Sequence, residues 1–176
     1  GKIPTAMASM KALTNLRLGF NSLTGQIPSD IGVWGKKLKY LLLSDNKLEG
    51  KIPIGMSKLD KLKTLYLDDN KFTGKMAPQM SFLTNLEKLF LENNKFEDNI
   101  PASFLQDLVH LKYFDVSNNL LQGELPVHLL DHPRMEVLDV NNNDLGGGTD
   151  GFLPNEFPKS TSLKYRSMQN NFFEGT

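Results

Sequence analysis

The sequence predicts a solenoid, a stack of similar chain turns, because three patterns repeat along it in one register. Asparagine recurs with apolar residues three, five and eight positions before it. The segments with this frame begin at positions 13, 38, 62, 86, 111, 135 and 163, at intervals of 25, 24, 24, 25, 24 and 28 residues. Between them recurs a glycine that is followed two residues later by an apolar residue and then by proline. Intervals of this length are typical of solenoid turns rather than of helices or hairpins.

Asparagine has a structural reason to occupy the same position in every turn. A turn stacked between two neighbours buries backbone N–H and C=O groups at its corner, and these groups need hydrogen-bond partners. The amide side chain supplies donors and an acceptor together, whereas aspartate supplies acceptors only. We therefore predict a column of structural asparagines at Asn21, Asn46, Asn70, Asn94, Asn119, Asn143 and Asn171.

The glycine signature marks a bend in each turn. It occurs as Gly25-x-Ile27-Pro28, Gly50-x-Ile52-Pro53 and Gly123-x-Leu125-Pro126, and Gly1-x-Ile3-Pro4 has the form of the end of an earlier turn. Glycine allows a bend that other residues resist, and proline ends regular strand pairing because it lacks a donor. The pattern has exceptions: Asp98 replaces the glycine in one turn, and Arg166 replaces an inward apolar residue in the last.

These residues resemble the plant-type leucine-rich repeat family, whose consensus runs LxxLxLxxNxLxGxIPxxLxxLxx. Close matches are LTNLRLGFNSLTGQIPSDI at 13–31 and LKYLLLSDNKLEGKIPIGM at 38–56, and the resemblance covers essentially the whole chain. It implies an α/β fold, a right-handed curved superhelix. In such a fold each turn contributes a parallel strand to the concave face, and 3₁₀ or short helical segments lie on the convex side.

The chain is expected to form one domain over residues 1–176, with a repeat at each of the seven starts. A solenoid needs end caps to cover apolar surface and strand edges, and no cap pattern is recognisable here. We therefore expect an excerpt of a longer protein. The chain has no cysteine, but in the resembled family the cysteine pairs lie mainly in the caps. The resemblance implies an extracellular or membrane-tethered ectodomain.

Composition and motifs argue against several classes of function. Twenty acidic and twenty basic side chains give no net charge, so the basic excess that phosphate contacts require is missing. No apolar run approaches the roughly 20 residues that span a bilayer. No nucleophile elbow or phosphate loop accompanies the serines and histidines. We expect no enzymatic activity, no cofactor, no nucleic-acid partner and no membrane insertion by this segment.

Two spacings superficially suggest metal ligands. His128 and His132 are four residues apart but lack the glutamate of a zinc-protease motif. His132 also occupies a position that large apolar residues fill in other turns, so we predict a packed histidine. Asp139-x-Asn141-x-Asn143 begins like a calcium loop, but Asp144 stands where that loop requires glycine. We predict no metal site.

The positions between the buried leucines are displayed on the predicted concave sheet. Leu42, Tyr66 and Phe90 share one such position on three consecutive turns, which gives an exposed apolar strip about 10 Å long at a strand spacing of about 4.8 Å. Nearby Asp68 and Glu92 are expected to act as rim charges that mainly affect the rate of association. Good strand propensity is the alternative explanation of the aromatic residues. The candidate partner-binding residues are Tyr40, Leu42, Tyr66, Asp68, Phe90, Glu92, Tyr113 and Asp115.

One turn is longer than the others, and the excess residues are the glycine-rich segment 146–151. This segment predicts a projecting loop. Such an insertion leaves the stacked core undisturbed, and it is either a tolerated surface insertion or a contact loop.

The function predicted from these observations is non-catalytic recognition of a protein or peptide on the concave face. The resemblance implies kinship with ectodomains of receptor-like proteins and receptor kinases, and with inhibitors of polysaccharide hydrolases. A second class is a structural scaffold or a subunit of a larger assembly. Binding of polysaccharide or ice is a third class, less favoured because it calls for columns of identical threonines or aromatics, and the displayed columns here are mixed.

Overall fold

A computed structural model of the chain describes residues 1–76, 78–146 and 162–173. Among these residues, one parallel strand from each turn joins a seven-stranded sheet whose strands lie side by side in chain order. We call it the concave sheet. Its strands are β1 (Asn15–Arg17), β3 (Tyr40–Leu42), β5 (Thr64–Tyr66), β7 (Lys88–Phe90), β9 (Tyr113–Asp115), β11 (Val137–Asp139) and β13 (Tyr165–Ser167).

The leucines at the centre of these strands lie side by side. Leu16 pairs with Leu41, Leu41 with Leu65, and Leu65 with Leu89. All four are buried, because they point into the stack while the residues on either side of them point outward. The α/β solenoid predicted from the sequence is therefore confirmed.

A second sheet of six parallel strands follows the asparagine in the first six turns, and the sequence patterns described above do not predict it. Its strands end at or beside the signature glycine, which has φ of +80° at Gly50 and Gly74. In β8 the same position is taken by Asp98 at φ +71°, a conformation that aspartate tolerates better than most residues. The strands are β2 (Thr24–Gly25), β4 (Lys47–Gly50), β6 (Lys71–Lys75), β8 (Lys95–Asp98), β10 (Leu120–Gly123) and β12 (Asp144–Leu145).

Among the described residues, six short helices begin at a proline or within three residues after one, as predicted for the convex side. They pack closely: a Cβ added to Gly55 would lie 2.3 Å from the carbonyl oxygen of Ser29 in the turn before it. In the described part of the chain, no helix is long and apolar enough to cross a membrane. The helices are 3₁₀ at Thr5–Ser9, Ile54–Lys58 and Pro78–Phe82, and α-helical at α1 (Ile31–Trp34), α2 (Ala102–Gln106) and α3 (Val127–Leu130).

The interior is one apolar cluster that runs along the stack. Trp34, Leu59 and Leu83 fill equivalent positions in successive turns, and each is at most 1% exposed. Burial of side chains of this size contributes about 1.5 to 3 kcal/mol each. Leu13 in the first turn and Leu163 in the last are only partly buried.

The asparagine column connects each turn to the one before it. The Asn94 amide donates to the carbonyl oxygens of Leu91 and Glu92 in its own turn, and to that of Leu67 in the preceding turn. Its Oδ1 accepts the backbone N–H of Phe72, also in the preceding turn. The same set of four bonds recurs at Asn46, Asn70, Asn119, Asn143 and Asn171.

Asn21, in the first turn, is the exception. It is exposed, and its side chain donates only to Leu18 and Gly19 within its own turn. Asn171 in the last turn keeps all four bonds because they reach backwards along the chain. The two ends of the column are therefore not equivalent.

Candidate functional site

The concave sheet brings six of the eight predicted binding residues into two rows, and Asp68 and Glu92 lie two residues beyond the ends of their strands. Strand register places Tyr40, Thr64, Lys88 and Tyr113 side by side in one row. The other row, two residues further along each strand, aligns Leu42, Tyr66, Phe90 and Asp115. All eight predicted residues are half-buried, whereas Thr64 and the next residue of the second row, Asp139, are buried at 8% exposure.

The centre of the face is aromatic. The rings of Tyr66 and Phe90 meet edge to face, with centroids 4.7 Å apart and planes at 79°. In the neighbouring row the Lys88 ammonium lies 4.7 Å from the centre of the Tyr113 ring, within range of a cation–π interaction. These contacts bring aromatic side chains of neighbouring turns together on the face.

An acidic row, which we define as Asp68, Glu92 and Asp115, borders this aromatic centre. The Ser44 hydroxyl donates to Asp68 at 2.7 Å, and the backbone N–H of Ser117 donates to Asp115 at 2.9 Å. In the described part of the chain Oε2 of Glu92 is buried and accepts no hydrogen bond. One carboxylate oxygen of the row is therefore left without a partner, although a backbone hydrogen bond to the same carboxyl group opposes the rise in its pKa.

The acidic row is poorly solvated, and its pKa values show it. Burial raises the pKa of Glu92 to about 8, and the negative charges of Asp115 and Asp68 add to that shift. Burial also raises the pKa of Asp68 and of Asp115. The rim-charge role of Glu92 stays a prediction, and the structure adds that its side chain is half-buried between carboxylates of two other turns, with Oε2 shielded from water.

Lysine–glutamate pairs lie beyond the N-terminal ends of the concave strands. Lys63 contacts Glu87 at 2.9 Å, and Lys164 contacts Glu136 at 2.8 Å. The hydrogen bond from Lys63 lowers the pKa of Glu87. These pairs neutralise part of the positive charge beside the face. The carboxylates of the acidic row form no such pair among the described residues.

Three carboxylates are close enough to share an ion, since ligand atoms of Asp45, Asp68 and Asp69 lie within 4.8 Å of one another. Calcium takes six to eight oxygen ligands, so this group alone is not a calcium site. At the other spacing considered from sequence, Oδ1 of Asp139 accepts hydrogen bonds from Asn141. That carboxylate is engaged within the protein.

His132 is packed in the interior. It is 4% exposed, its Nε2 lies 3.1 Å from the carbonyl oxygen of Leu108, and burial lowers its pKa. This agrees with the packed histidine predicted from sequence. Apart from Gly146, the insertion at 146–151 lies outside the described residues.

No single residue of the sequence predicts the partial burial of the acidic row. It follows from the side chains of adjacent turns, which crowd carboxylates at the equivalent positions 68 and 92 and at nearby position 115. Aligning the turns and reading each column for repeated charge of one sign could have suggested it.

Known proteins share these repeats. Two family models described as leucine-rich repeats match the chain, one at residues 11–72 and one at 85–106 and 110–131. The leucine-rich repeat receptor protein kinase MSP1 of Oryza sativa subsp. japonica is 36% identical over 80 residues, or 46% of this chain and 6% of that protein.

Solved structures match over nearly the whole chain. One is the ectodomain of the Arabidopsis receptor kinase HAESA in complex with an N-terminally extended IDA peptide hormone. It has a TM-score of 0.88 and 30% identity, over 97% of this chain and 28% of that one. A plant ice-binding protein has a TM-score of 0.79 and 29% identity, over 97% of this chain and 61% of that one.

The stacked turns, the parallel sheet and these matches define a leucine-rich repeat solenoid protein. The chain belongs to the plant-type leucine-rich repeat family. It spans 6% of the length of the rice receptor kinase and 28% of the HAESA ectodomain chain.

Proposed function

We propose that this chain is a recognition module that binds a peptide or protein on its concave sheet and carries out no catalysis. The observation that carries the proposal is the row formed by Leu42, Tyr66 and Phe90, in which two rings held in edge contact are only half-buried. Aromatic side chains of this kind are the usual anchors of protein interfaces. The HAESA ectodomain, which has the same fold, was solved with a peptide hormone bound.

The test uses random peptides displayed on phage, selected on the immobilised chain. The affinity of a selected peptide is then measured for Tyr66→Ala and Phe90→Ala. Each is expected to weaken binding by about 2 kcal/mol, or about 30-fold in Kd.

Lys58→Ala and Gln79→Ala, on the convex helices, are the matched controls and should leave Kd unchanged. If the convex changes abolish binding and the aromatic changes do not, the concave-face proposal is wrong and the scaffold function takes its place.

Ice binding is the second candidate, favoured by the similarity to a plant ice-binding protein. We place it second because the displayed positions of the concave sheet alternate between aromatic, basic and acidic residues instead of repeating one type. Thermal hysteresis of the purified chain, compared with that of the Tyr66→Ala variant, tests it directly.

A further inference from the structure

The concave face combines an aromatic surface with a carboxylate of which one oxygen, Oε2 of Glu92, has no hydrogen-bond partner among the described residues. Tyr66 and Phe90 are held edge to face, and Glu92 lies two residues beyond Phe90 along the chain. The phenol of Tyr66 is itself close enough to Asp68 and Glu92 for their charges to raise its pKa, after the larger effect of burial. The rings and the acidic row therefore form one continuous surface.

Hydrogen bonds within the chain leave one carboxylate oxygen at the centre of this surface without a donor. Asp68 and Asp115 each accept a hydrogen bond through Oδ1 from a serine, from the Ser44 hydroxyl and the Ser117 backbone respectively. Oε2 of Glu92, between them, is buried and accepts none among the described residues. A buried carboxylate oxygen without a partner is costly, so a ligand donor beside this carboxylate would offset a penalty that the free protein carries.

The charges around Glu92 determine which charge a donor group of the ligand should carry. Asp68 and Asp69 face it from the preceding turn, and Asp115 faces it from the following turn. On its own strand, the Lys88 ammonium lies over the Tyr113 ring. A cationic group fits this charge distribution, and an anionic group does not.

Arginine fits the combined surface better than lysine. Its planar guanidinium has five donors, can bridge two carboxylates and stacks on aromatic rings, whereas the lysine ammonium is a compact and strongly hydrated charge. The rings of Tyr66 and Phe90 supply the stacking surface beside the carboxylates.

We propose that Asp68, Glu92 and Asp115 anchor an arginine of the partner, whose flanking apolar residue lies on Tyr66 and Phe90. This inference rests on the proposed function, because it names the chemistry of the partner at that same face. The guanidinium lies beside Glu92 and Asp115, and its positive charge offsets the cost of holding the Glu92 carboxylate away from water.

Binding of this kind depends on pH in a defined direction. Because a bound guanidinium favours the ionised carboxylate, the pKa of Glu92 is lower in the complex than its value of about 8 in the free chain. Affinity therefore rises with pH up to about 8, by at most about tenfold per pH unit, and binding releases a proton below that pH. Asp68 and Asp115 act in the same direction at lower pH.

The experiment compares a phage-selected peptide with the same peptide in which arginine is replaced by citrulline, its neutral analogue. On the wild-type chain, citrulline is expected to weaken binding about 30-fold. On the double variant Glu92→Gln/Asp115→Asn the two peptides should differ by less than about threefold. The control double variant Glu49→Gln/Glu97→Gln removes two exposed carboxylates from the second sheet and should retain the full 30-fold difference.

The outcomes separate this inference from the proposed function. Selected peptides that contain no enriched arginine but still lose affinity on Tyr66→Ala would overturn the arginine site and leave the concave-face function standing. Peptides that are indifferent to Tyr66, Phe90 and the acidic row would overturn both. If the difference in Kd between the arginine and citrulline peptides is lost equally on the control double variant, that difference comes from general charge attraction, and the specific site is overturned.

Discussion

The side chain of Asn94 accepts the backbone N–H of Phe72 at 2.9 Å, and Phe72 belongs to the turn before it. This bond shows what the asparagine column does. Each asparagine satisfies backbone groups of its own turn and of the preceding one, so it fixes the distance between two stacked turns as well as the shape of one corner.

We expect Asn94→Leu to destabilise the fold strongly. It removes three donated bonds and one accepted bond at a site that is 9% exposed, at about 1 to 3 kcal/mol for each group left unsatisfied. Urea unfolding monitored by circular dichroism measures the loss.

Asn21→Leu is the matched control, because Asn21 is exposed and bonds only within its own turn. Its effect should be much smaller than that of Asn94→Leu. Asn171→Leu should resemble Asn94→Leu more closely than Asn21→Leu does, although Asn171 also lies in an end turn. Equal losses at Asn21 and Asn94 would show that the bonds between turns contribute little.

The sequence predicts the stack because its strongest signals are periodic. The leucines and asparagines recur at the interval of one turn, and that interval alone fixes parallel strands in chain order. The six-stranded second sheet has a weaker signal, because its pairing segments mix lysine, phenylalanine, threonine and glycine, as in Lys71–Lys75. These strands form because the asparagine bonds already hold neighbouring turns at strand spacing.

Close packing on the convex side leads to a second prediction. A Cβ at Gly55 would lie 2.3 Å from the carbonyl oxygen of Ser29, and a backbone atom cannot move aside without separating the two turns. Gly55→Ala should therefore cost about 2 kcal/mol or more in unfolding free energy. Lys58→Ala in the same 3₁₀ helix is exposed and should be close to neutral. A neutral Gly55→Ala would mean that adjacent turns can shift apart freely.

A third prediction concerns the rigidity of the aromatic centre. Because Tyr66 and Phe90 are half-buried and in edge contact, each alanine change should lower stability modestly, and the two losses should not add. A double-mutant cycle on unfolding free energy should give a coupling of about 0.5 to 1.5 kcal/mol. Tyr40 and Phe90 come from strands that are not adjacent, so the cycle on that pair is the control and should be additive. Additivity at Tyr66 and Phe90 would show that the rings move independently.

The candidate site is only partly predictable from sequence. Strand alternation places Tyr66 and Phe90 on the displayed side, and the repeat interval places them in one row. The partial burial of Glu92 and its raised pKa could not be predicted in the same way, because they depend on how far the carboxylates of neighbouring turns exclude water from one another. That depends on side-chain packing across three turns and not on the order of residues within any one of them.

The fourth prediction uses the raised pKa of Glu92 to test its burial without any ligand. Its pKa is about 8 in the folded chain and 4.5 for the ordinary group, so between these values the unfolded chain releases a proton that the folded chain keeps. The contribution of Glu92 to stability is therefore fully present below pH 4.5 and is lost as pH rises through 8. Glu92→Gln removes this loss, and after allowance for solvent screening it should stabilise the fold by about 1 kcal/mol at pH 8 and negligibly at pH 4.5. Urea unfolding of both proteins across that range measures the difference.

Glu87→Gln is the control of opposite sign. The pKa of Glu87 is lowered by its contact with Lys63, so this change should destabilise the fold at neutral pH, and the effect should fade as the pH falls. A difference between Glu92→Gln and the parent that does not vary with pH would mean that the Glu92 carboxylate is solvated in the folded chain.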